Sequence, residues 1–431
     1  MTAMRTISKG KGLLPASAWL ALATLAGSFA RGGEMEPSFQ DQPQSRQEIL
    51  LEKRRQKMQD LKAEQVSKWE NVLIQYEKRP IFQKLTVKGY QGFRLVVGGL
   101  PQGSGFAYGV GYVNGLDRES VRFTVDARYS SRRYERLDAM AEFFPKPASD
   151  SPWRGFVKAG YLDYKSHNFF GIGNFTSDED ESSFRLEQRH AAAGLSYRAN
   201  RRLKVSGEVG FLDTGIRPGE DDPSPIAVLG AGQVPGFFEQ PQYLTYGGQV
   251  EVSLFDRWEA PPVGVAIIAS VKRFDGRGGR AGGQVGSGSF LRASGEVQLR
   301  VPLGHRNRRI AYRLRTSHSM ADGDAEVPFF LLETLGGAHS LRGYEEFRFR
   351  DARNLTMNLE YRWEVWTFAD MALFSDAGKV FRRAGDLDFS DLHASYGAGI
   401  IFRPPGGFRL RFDVARSQEG IRFHIGSGPN F

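Results

Sequence analysis

The feature that most constrains this chain is a strict alternation of apolar and polar residues. In the segment 354–365, NLTMNLEYRWEV, every second residue from Leu355 to Val365 is apolar, and the residues between them are polar or charged. The segments 408–415 and 121–129 repeat this pattern. A period of two is that of a β-strand with one apolar and one polar face. The sequence therefore predicts an all-β protein.

About sixteen such strands follow one another to the end of the chain. Their predicted cores are 93–99, 105–113, 119–130, 133–144, 153–165, 182–198, 202–214, 244–256, 263–275, 289–302, 308–319, 354–366, 369–376, 393–403, 408–416 and 420–427. The apolar faces are rich in aromatic residues, and the charged faces mix both signs, as the lining of a polar lumen does. Strands are stable in lipid only in a closed barrel, because every backbone group must be paired internally. We therefore predict a transmembrane antiparallel β-barrel of about 16 strands, with a soluble sheet that has one wet face as the alternative.

The connections between the predicted strands alternate in length. Those after even-numbered strands are short turns, whereas every long connection follows an odd-numbered strand. The long ones are 166–181, 215–243, 276–288, 320–353 and 377–392. Outer-membrane barrels have short turns on the periplasmic side and longer loops outside. The alternation thus predicts a barrel in the outer membrane of a Gram-negative-type envelope, with both barrel ends in the periplasm.

The N-terminal part differs in character from the predicted barrel, which spans 81–431. Residues 1–30 combine a basic start, an apolar run and small residues, and so predict a cleaved signal peptide. A transmembrane anchor is the alternative, for which the apolar run is too short. Residues 31–80 are predicted to be a periplasmic linker, in which 45–78 forms an amphipathic helix. This helix is interpreted either as a solvated linker or as a helix that lies against the membrane surface or the barrel mouth.

The composition excludes several other functions. Cysteine is absent, so disulfide frameworks, cysteine zinc sites and thiol nucleophiles are excluded. The formal net charge is +9, but the arginines are spread along the whole chain and do not form the basic face of a nucleic-acid-binding protein. No HExxH or GxSxG spacing occurs, and the glycine-rich run 276–288 lacks the lysine of a phosphate loop. We expect no enzyme activity, no metal, no cofactor and no nucleic-acid partner.

The longest predicted loop carries a motif that resembles one of a known family. Gly336 and Gly337 precede Leu341-Arg342-Gly343-Tyr344. This motif resembles the LRG(F/Y) motif of the BamA/TamA outer-membrane assembly superfamily, also called the bacterial surface antigen family. Phe374-Ser375-Asp376-Ala377-Gly378, on the predicted thirteenth strand, resembles the F-x-D-x-G motif of the same family.

Two further stretches extend this resemblance. The segment 169–174, FFGIGN, and the closing strands before Phe431 are similar to the family. The resemblance covers residues 90–431 and is strongest in 330–431. Members of the family carry periplasmic POTRA domains before the barrel, and residues 31–80 are too few to form one. The chain is therefore identified as a POTRA-less member.

The resemblance implies a function for the loop motif. In the family the loop folds back into the barrel, so Arg342 is expected to pair with Asp376 in the lumen. Strand parity separately places Asp376 inward, because the opposite face of its strand is the better lipid face. Gly343 would allow close backbone approach, and Tyr344 would pack against the wall. The remaining motif residues are Gly336, Gly337 and Gly378. The alternative is a plain ion pair that stiffens the barrel.

The seam between the first and last strands is the family's proposed lateral gate. Gly426 and Gly428 weaken the last strand, and Pro429 removes a ladder donor, so pairing at the seam is expected to fray. An ordinary frayed chain end is the alternative. The terminal Phe431 fits the aromatic signal that the assembly machinery recognises on the C-terminal strand.

The resemblance implies insertion or translocation of outer-membrane proteins or lipids through this seam. One alternative is a transport pore or channel gated by the loop. Another is a structural barrel that transports nothing and recruits a periplasmic protein through the helix 45–78. The expected partners are therefore outer-membrane lipid, the assembly machinery and, in the last alternative, that periplasmic protein.

Overall fold

The computed structural model divides the chain into two units, Met1–Ser67 and Lys68–Phe431. The residues it describes are 52–53, 55–56, 91–101, 104–114, 120–145, 151–220, 223–225, 227, 234–237, 240–255, 263–279, 288–366, 368–403 and 409–427. In the first unit, residues 52–53 and 55–56 are helical. The rest of the predicted helix 45–78 and the predicted signal peptide 1–30 lie outside the described residues, as do Gly428 and Phe431. Among the described residues, no helix is long and apolar enough to cross a membrane.

The second unit contains a sixteen-stranded antiparallel sheet in which neighbouring strands follow the chain order. Its strands are β1 (Phe93–Val97), β2 (Ala107–Asn114), β3 (Val121–Ser130), β4 (Glu135–Phe143), β5 (Trp153–Phe169), β6 (Ser182–Arg198), β7 (Leu203–Pro218), β8 (Pro241–Ser253), β9 (Gly264–Gly279), β10 (Phe290–Leu303), β11 (His305–Ala321), β14 (Arg353–Trp366), β15 (Ala369–Phe381), β16 (His393–Phe402), β17 (Leu410–Ser417) and β18 (Gly420–Ser427). Two short strands, β12 (Glu333–Leu335) and β13 (Phe349–Asp351), pair with each other inside the β11–β14 connection. The prediction of an all-β antiparallel fold is confirmed. Among the described residues no ladder joins β1 to β18, so closure of the barrel stays a prediction.

The strand ends differ from the predicted ones for local reasons. The first strand ends at Val97 rather than residue 99, because Gly98 and Gly99 have positive φ angles, 77° and 81°. The predicted thirteenth strand is β15, which continues past Asp376 to Phe381. There Gly378 and Val380 lie against the long loop, so residues without polar side chains stand on the inner face and the alternation is lost. The predicted connections 166–181, 215–243 and 377–392 are correspondingly shorter, at 170–181, 219–240 and 382–392.

The two faces of the sheet differ as the alternation predicted. On β14 the residues Asn354, Thr356, Asn358, Glu360 and Arg362 are all buried. We call the face that carries them the inner face and the opposite face the outer face. The outer face exposes aliphatic and aromatic side chains along many strands. Examples are Val157, Val209, Phe211, Ile267 and Leu373. Such a surface suits contact with lipid chains.

Apolar clusters form where the long connections meet the strand ends. The larger one packs Phe329 of the β11–β14 connection against strand residues that include Phe169, Phe184 and Phe290, all fully buried. The smaller one packs Leu341 and Tyr344 against Val380 of β15. The β11–β14 connection is therefore a packed part of the fold, not a solvated loop.

Candidate functional site

The β11–β14 connection turns back on itself at the predicted glycine pair. Gly336 and Gly337 have φ angles of 121° and 79°, which only glycine adopts readily. A Cβ atom on Gly336 would collide with the backbone oxygen of Glu345. The turn is closed by hydrogen bonds from Gly337 N to Tyr344 O (3.1 Å) and from Gly336 N to Ser340 Oγ (2.8 Å). This geometry directs Arg342 from the tip of the connection onto the inner face.

Arg342 forms a bidentate ion pair with Asp376 of β15. Its Nε donates to Asp376 Oδ2 at 2.8 Å and its Nη2 to Oδ1 at 2.6 Å. The backbone N–H of Arg342 donates to the same carboxylate at 3.2 Å. Both side chains are excluded from solvent, and the guanidinium carbon lies 3.5 Å from the centroid of the Phe374 ring. Two parallel charge-assisted bonds and a ring face fix the orientation of the guanidinium.

Glu360 of β14 is the centre of the surrounding ion-pair network. Its carboxylate accepts hydrogen bonds from the guanidinium groups of Arg342, Arg362 and Arg411. Arg411 Nη2 lies 2.8 Å from Glu360 Oε1, and Arg411 Nε donates to Asp413 Oδ2 at 2.6 Å. All of these groups are buried, so each charge depends on its neighbours rather than on water.

Asn358 joins the loop to a further strand. Its Nδ2 donates to Asp376 Oδ1 and to Ser340 O, both at 2.7 Å. Its Oδ1 accepts from Arg313 Nη2 of β11 at 2.8 Å. One amide thus connects the carboxylate on β15, the loop backbone and β11.

The backbone on either side of Arg342 is tied to the last two strands. Ser417 of β17 donates from Oγ to Gly343 O at 2.7 Å, and His424 of β18 donates from Nε2 to Arg342 O. A Cβ atom on Gly343 would lie 2.5 Å from the Cβ atom of Ser395 and 2.8 Å from that of Ser417. The motif needs glycine here because the loop lies against these strands.

Tyr344 is buried beside two rings. Its ring centroid lies 5.2 Å from that of Phe349 and 5.7 Å from that of His393. Burial raises the pKa of the Tyr344 hydroxyl to about 12. Gly378, the last residue of the second motif, lies against Leu335 and the backbone of Leu355. Tyr344 and Gly378 therefore serve packing.

The β5–β6 connection contacts the stem of the same loop. Gly173 N donates to Arg350 O at 2.7 Å, and Asn174 Oδ1 accepts from Val380 N at 3.0 Å. Arg348 Nη1 donates to Thr176 Oγ1 at 2.8 Å. The FFGIGN stretch thus lies beside the loop motif in space, although about 170 residues separate the two in sequence.

The structure brings most of the predicted site residues together, but not all. Gly336, Gly337, Gly343 and Tyr344 surround Arg342, and Asp376 pairs with it, as described above. Gly426 lies apart, on exposed β18, where an added Cβ atom would meet nothing within 4 Å. Among the described residues, no group of histidine and carboxylate side chains could hold a metal ion.

Several members of the network were not predicted as site residues. Glu360 and Glu364 both lie on the polar face of the alternating segment 354–365. Glu360 is at the centre of the network, whereas Glu364 is exposed and lies 3.5 Å from Arg403. The alternation of polar and apolar residues in the sequence already placed Glu360, Arg411 and Asp413 on inner faces. It could not show which inner residues of different strands meet around the loop.

Comparison with known proteins agrees with this geometry. The sequence profile of the Omp85 superfamily domain matches residues 269–431. No curated protein sequence matches the chain. Among solved structures, the chain is similar to BamA from Haemophilus ducreyi lacking POTRA domains 1–3, with 16% identity, 79% of this chain and 71% of that chain covered, and a TM-score of 0.56. It is also similar to CdiB from Escherichia coli, with 12% identity, 79% and 62% coverage, and a TM-score of 0.52.

These likenesses show a BamA-like barrel fold. The matched domain contains the loop motif, Asp376, Glu360 and the strands that hold them. Barrels of this superfamily are outer-membrane proteins, and the predicted resemblance to the BamA/TamA superfamily is confirmed. Residues 269–431 are similar to the Omp85 superfamily domain.

Proposed function

We propose that this protein helps to insert or translocate outer-membrane proteins or lipids by opening a seam between β1 and β18. The observation that carries the proposal is the Arg342 network. It ties one loop to the inner faces of β14 and β15 and to the last two strands, on one side of the seam. Arg342 and Asp376 would hold the loop in place while the edge of β18 changes partners.

The strands at the seam suit such exchange. β1 has 5 residues, and its described residues form no ladder with β18. On β18, Phe423 and Ile425 are 72% and 73% exposed on the outer face. An unpaired edge in lipid is costly, so it binds another strand readily when one is offered. A substrate strand that pairs with this edge would be stabilised by backbone hydrogen bonds and released when β1 re-pairs.

Crosslinking across the seam tests the proposal, because the chain has no cysteine of its own. Leu95→Cys on β1 would be combined in turn with Ile421→Cys, Phe423→Cys and Ile425→Cys on β18, and joined with a short bis-maleimide. The measurement is the folding of an unfolded barrel protein into proteoliposomes, read as heat-modifiable mobility on a gel. We expect the crosslinked pairs to lose this activity and to regain it when a cleavable linker is cut.

A matched crosslink within the sheet controls for rigidity alone. Val414 and Phe423 already face each other across the β17–β18 ladder, so linking Val414→Cys to Phe423→Cys leaves the seam free. This variant is expected to keep its activity. Full activity in a protein with a locked seam would contradict the lateral-gate proposal.

A loop-gated pore is the second candidate. It is favoured by a group of partly exposed charges on inner faces remote from the loop tip, in which Lys158 and Lys272 both bind Glu208. Their side chains are 36%, 35% and 22% exposed, as expected for a hydrated part of the lumen. Conductance in planar bilayers, compared between the wild type and Arg342→Ala, separates the two candidates. A large steady conductance in the wild type would favour the pore.

A further inference from the structure

Two connections at the long-loop end of the sheet expose large apolar side chains. Phe175 in the β5–β6 connection is 77% exposed, and Phe389 in the β15–β16 connection is 72% exposed. Leu387, beside Phe389, is 46% exposed. Exposed aromatic residues of this size leave apolar surface in contact with water, which marks an interaction site. Aromatic residues are also enriched at the centres of protein interfaces.

The backbone that presents Phe175 is fixed on both sides. Asn174 donates from Nδ2 to Asp391 O at 2.9 Å, and its own carbonyl accepts from His393 Nε2 at 2.7 Å. Thr176 accepts hydrogen bonds from Arg348 at its hydroxyl (2.8 Å) and at its carbonyl (2.7 Å). Phe175 is therefore held outward by its neighbours. Such a side chain loses little conformational entropy when a partner covers it.

The same hydrogen bonds bring the two connections together. Asn174 precedes Phe175, and its partner Asp391 lies two residues after Phe389. The ring of His393, next to Asp391 in the fold, lies 6.4 Å from that of Phe175. We call Phe175, Leu387, Phe389 and the acidic residues around them the Phe175–Phe389 surface.

Acidic side chains surround these apolar groups. The segments 175–181 and 384–391 contain no lysine or arginine, although the whole chain has a formal net charge of +9. The exposed acidic residues are Asp178, Glu179, Glu181, Asp386, Asp388 and Asp391.

Three of the cations next to this surface form ion pairs, one of them with the surface itself. Lys379 binds Asp388, Arg382 binds Glu326, and Arg348 binds Glu419. Asp388 is the one acidic residue of the surface in these pairs. The exposed residues Asp178, Glu179, Asp386 and Asp391 outnumber the neighbouring exposed Arg383, so the surface is negative.

We propose that the Phe175–Phe389 surface docks a cationic polypeptide segment. Arginine or lysine side chains of the partner would lie over the two exposed phenyl rings, and the acidic residues would neutralise them. A cation over a ring face is attracted by the ring quadrupole, and acidic neighbours add to that attraction. Neutral or anionic partners would gain only the apolar contact and meet the negative field.

Binding of an oligoarginine peptide tests this assignment in the purified full-length protein in detergent. The measurement is fluorescence anisotropy of the labelled peptide at several salt concentrations, with an oligoglutamate peptide as the negative probe. Phe175→Ser combined with Phe389→Ser leaves the charge unchanged and is expected to weaken the Kd by about tenfold. Asp178→Lys combined with Glu179→Lys is expected to weaken it at least as much and to reduce its salt dependence.

Matched controls come from the same end of the sheet. Phe106 is 66% exposed in the β1–β2 connection, and Glu220 is exposed in the β7–β8 connection. Phe106→Ser and Glu220→Lys are expected to change the Kd by less than about twofold. Heat-modifiable mobility verifies that every variant is folded.

Two results would overturn the proposal. If the double serine variant binds oligoarginine as tightly as the wild type does, the attraction is general electrostatics and the rings have no role. If the wild type instead captures phosphatidylcholine vesicles through Phe175 and Phe389, and oligoarginine binding is unchanged by their loss, the surface contacts lipid.

Discussion

Replacing Arg342 by alanine tests whether the loop is held by a buried charge. The substitution removes three hydrogen bonds from the guanidinium to carboxylates, a longer ion pair with Asp413 and the contact with the Phe374 ring. The substitution affects the two hydrogen-bonded carboxylates, Glu360 and Asp376, differently. Glu360 still accepts hydrogen bonds from Arg362 and Arg411, whereas Asp376 loses its only guanidinium partner among the described residues.

The expected cost follows from this asymmetry. After the substitution, Asp376 keeps the amide of Asn358 at 2.7 Å and the backbone N–H of residue 342 at 3.2 Å, but no cation. Removing one partner of a buried pair typically costs about 3–5 kcal/mol, because the other charge stays desolvated. We therefore expect Arg342→Ala to lower the free energy of unfolding by about that amount.

A second substitution distinguishes the two partners. Asp376→Asn removes the orphaned charge, so its combination with Arg342→Ala is expected to cost about 2 kcal/mol less than the sum of the two single changes. Glu360→Gln gives no such relief, because it leaves Arg362 and Arg411 without their shared carboxylate. The coupling free energy should thus be smaller for the double mutant with Glu360→Gln than for the double mutant with Asp376→Asn.

Urea unfolding in detergent micelles, followed by tryptophan fluorescence, measures these differences. Glu364→Gln on the same strand is the control, because Glu364 is exposed and its change is expected to be within about 0.5 kcal/mol. If Arg342→Ala unfolds like the wild type, or if Glu360→Gln relieves it as well as Asp376→Asn does, the network does not hold the loop as argued.

Two further predictions concern close approach and pH. Gly343→Ala keeps every charge but forces the loop away from Ser395 and Ser417, and we expect it to cost about 1–3 kcal/mol in the same unfolding assay. The control Gly385→Ala, with nothing within 4 Å of its added Cβ atom, is expected to be neutral. The bond from Lys379 lowers the pKa of Asp388 to about 2. The ion pair between Lys379 and Asp388 therefore holds the β15–β16 connection in place above about pH 4. It is lost as the pH falls toward 2, so pepsin cleavage of this connection should increase over that range in the wild type relative to Asp388→Asn.

The strands could be predicted because apolar and polar residues alternate along each strand according to what its two faces contact. On β14 the inner residues Asn354 to Arg362 are polar and the outer ones apolar, so both the strand and its orientation follow from the sequence. The end of β15 shows where this reasoning stops. Val380 is apolar on an inner face because Leu341 and Tyr344 cover it, and a contact so distant in sequence leaves no local period.

The loop motif was recognisable from sequence, but its surroundings were not. Arg342 and Asp376 lie in motifs that resemble those of the family, and the structure places them in contact. The role of Glu360 depends on three arginines that converge from a loop and two strands. Alternation shows on which face of the sheet a residue lies. It does not show which residues of the other strands lie at the same level. Strand register, which decides those meetings, is set by pairing across the whole sheet.

The contacts of the loop divide its partner strands into two sets. Toward β14 and β15, Arg342 makes buried bonds to Glu360 and Asp376 that would leave charges unpaired if broken. Toward β18, His424 donates one hydrogen bond to a backbone carbonyl, and Arg422 binds Glu345 with both side chains partly exposed. A single neutral bond and a partly exposed pair contribute about 1 kcal/mol each. Arg348 of the loop also binds Glu419, which directly precedes β18 and is partly exposed. The fully buried bonds of Arg342 thus hold the loop more firmly to β14 and β15 than these contacts hold it to β18, as the proposed opening of a seam at β18 requires.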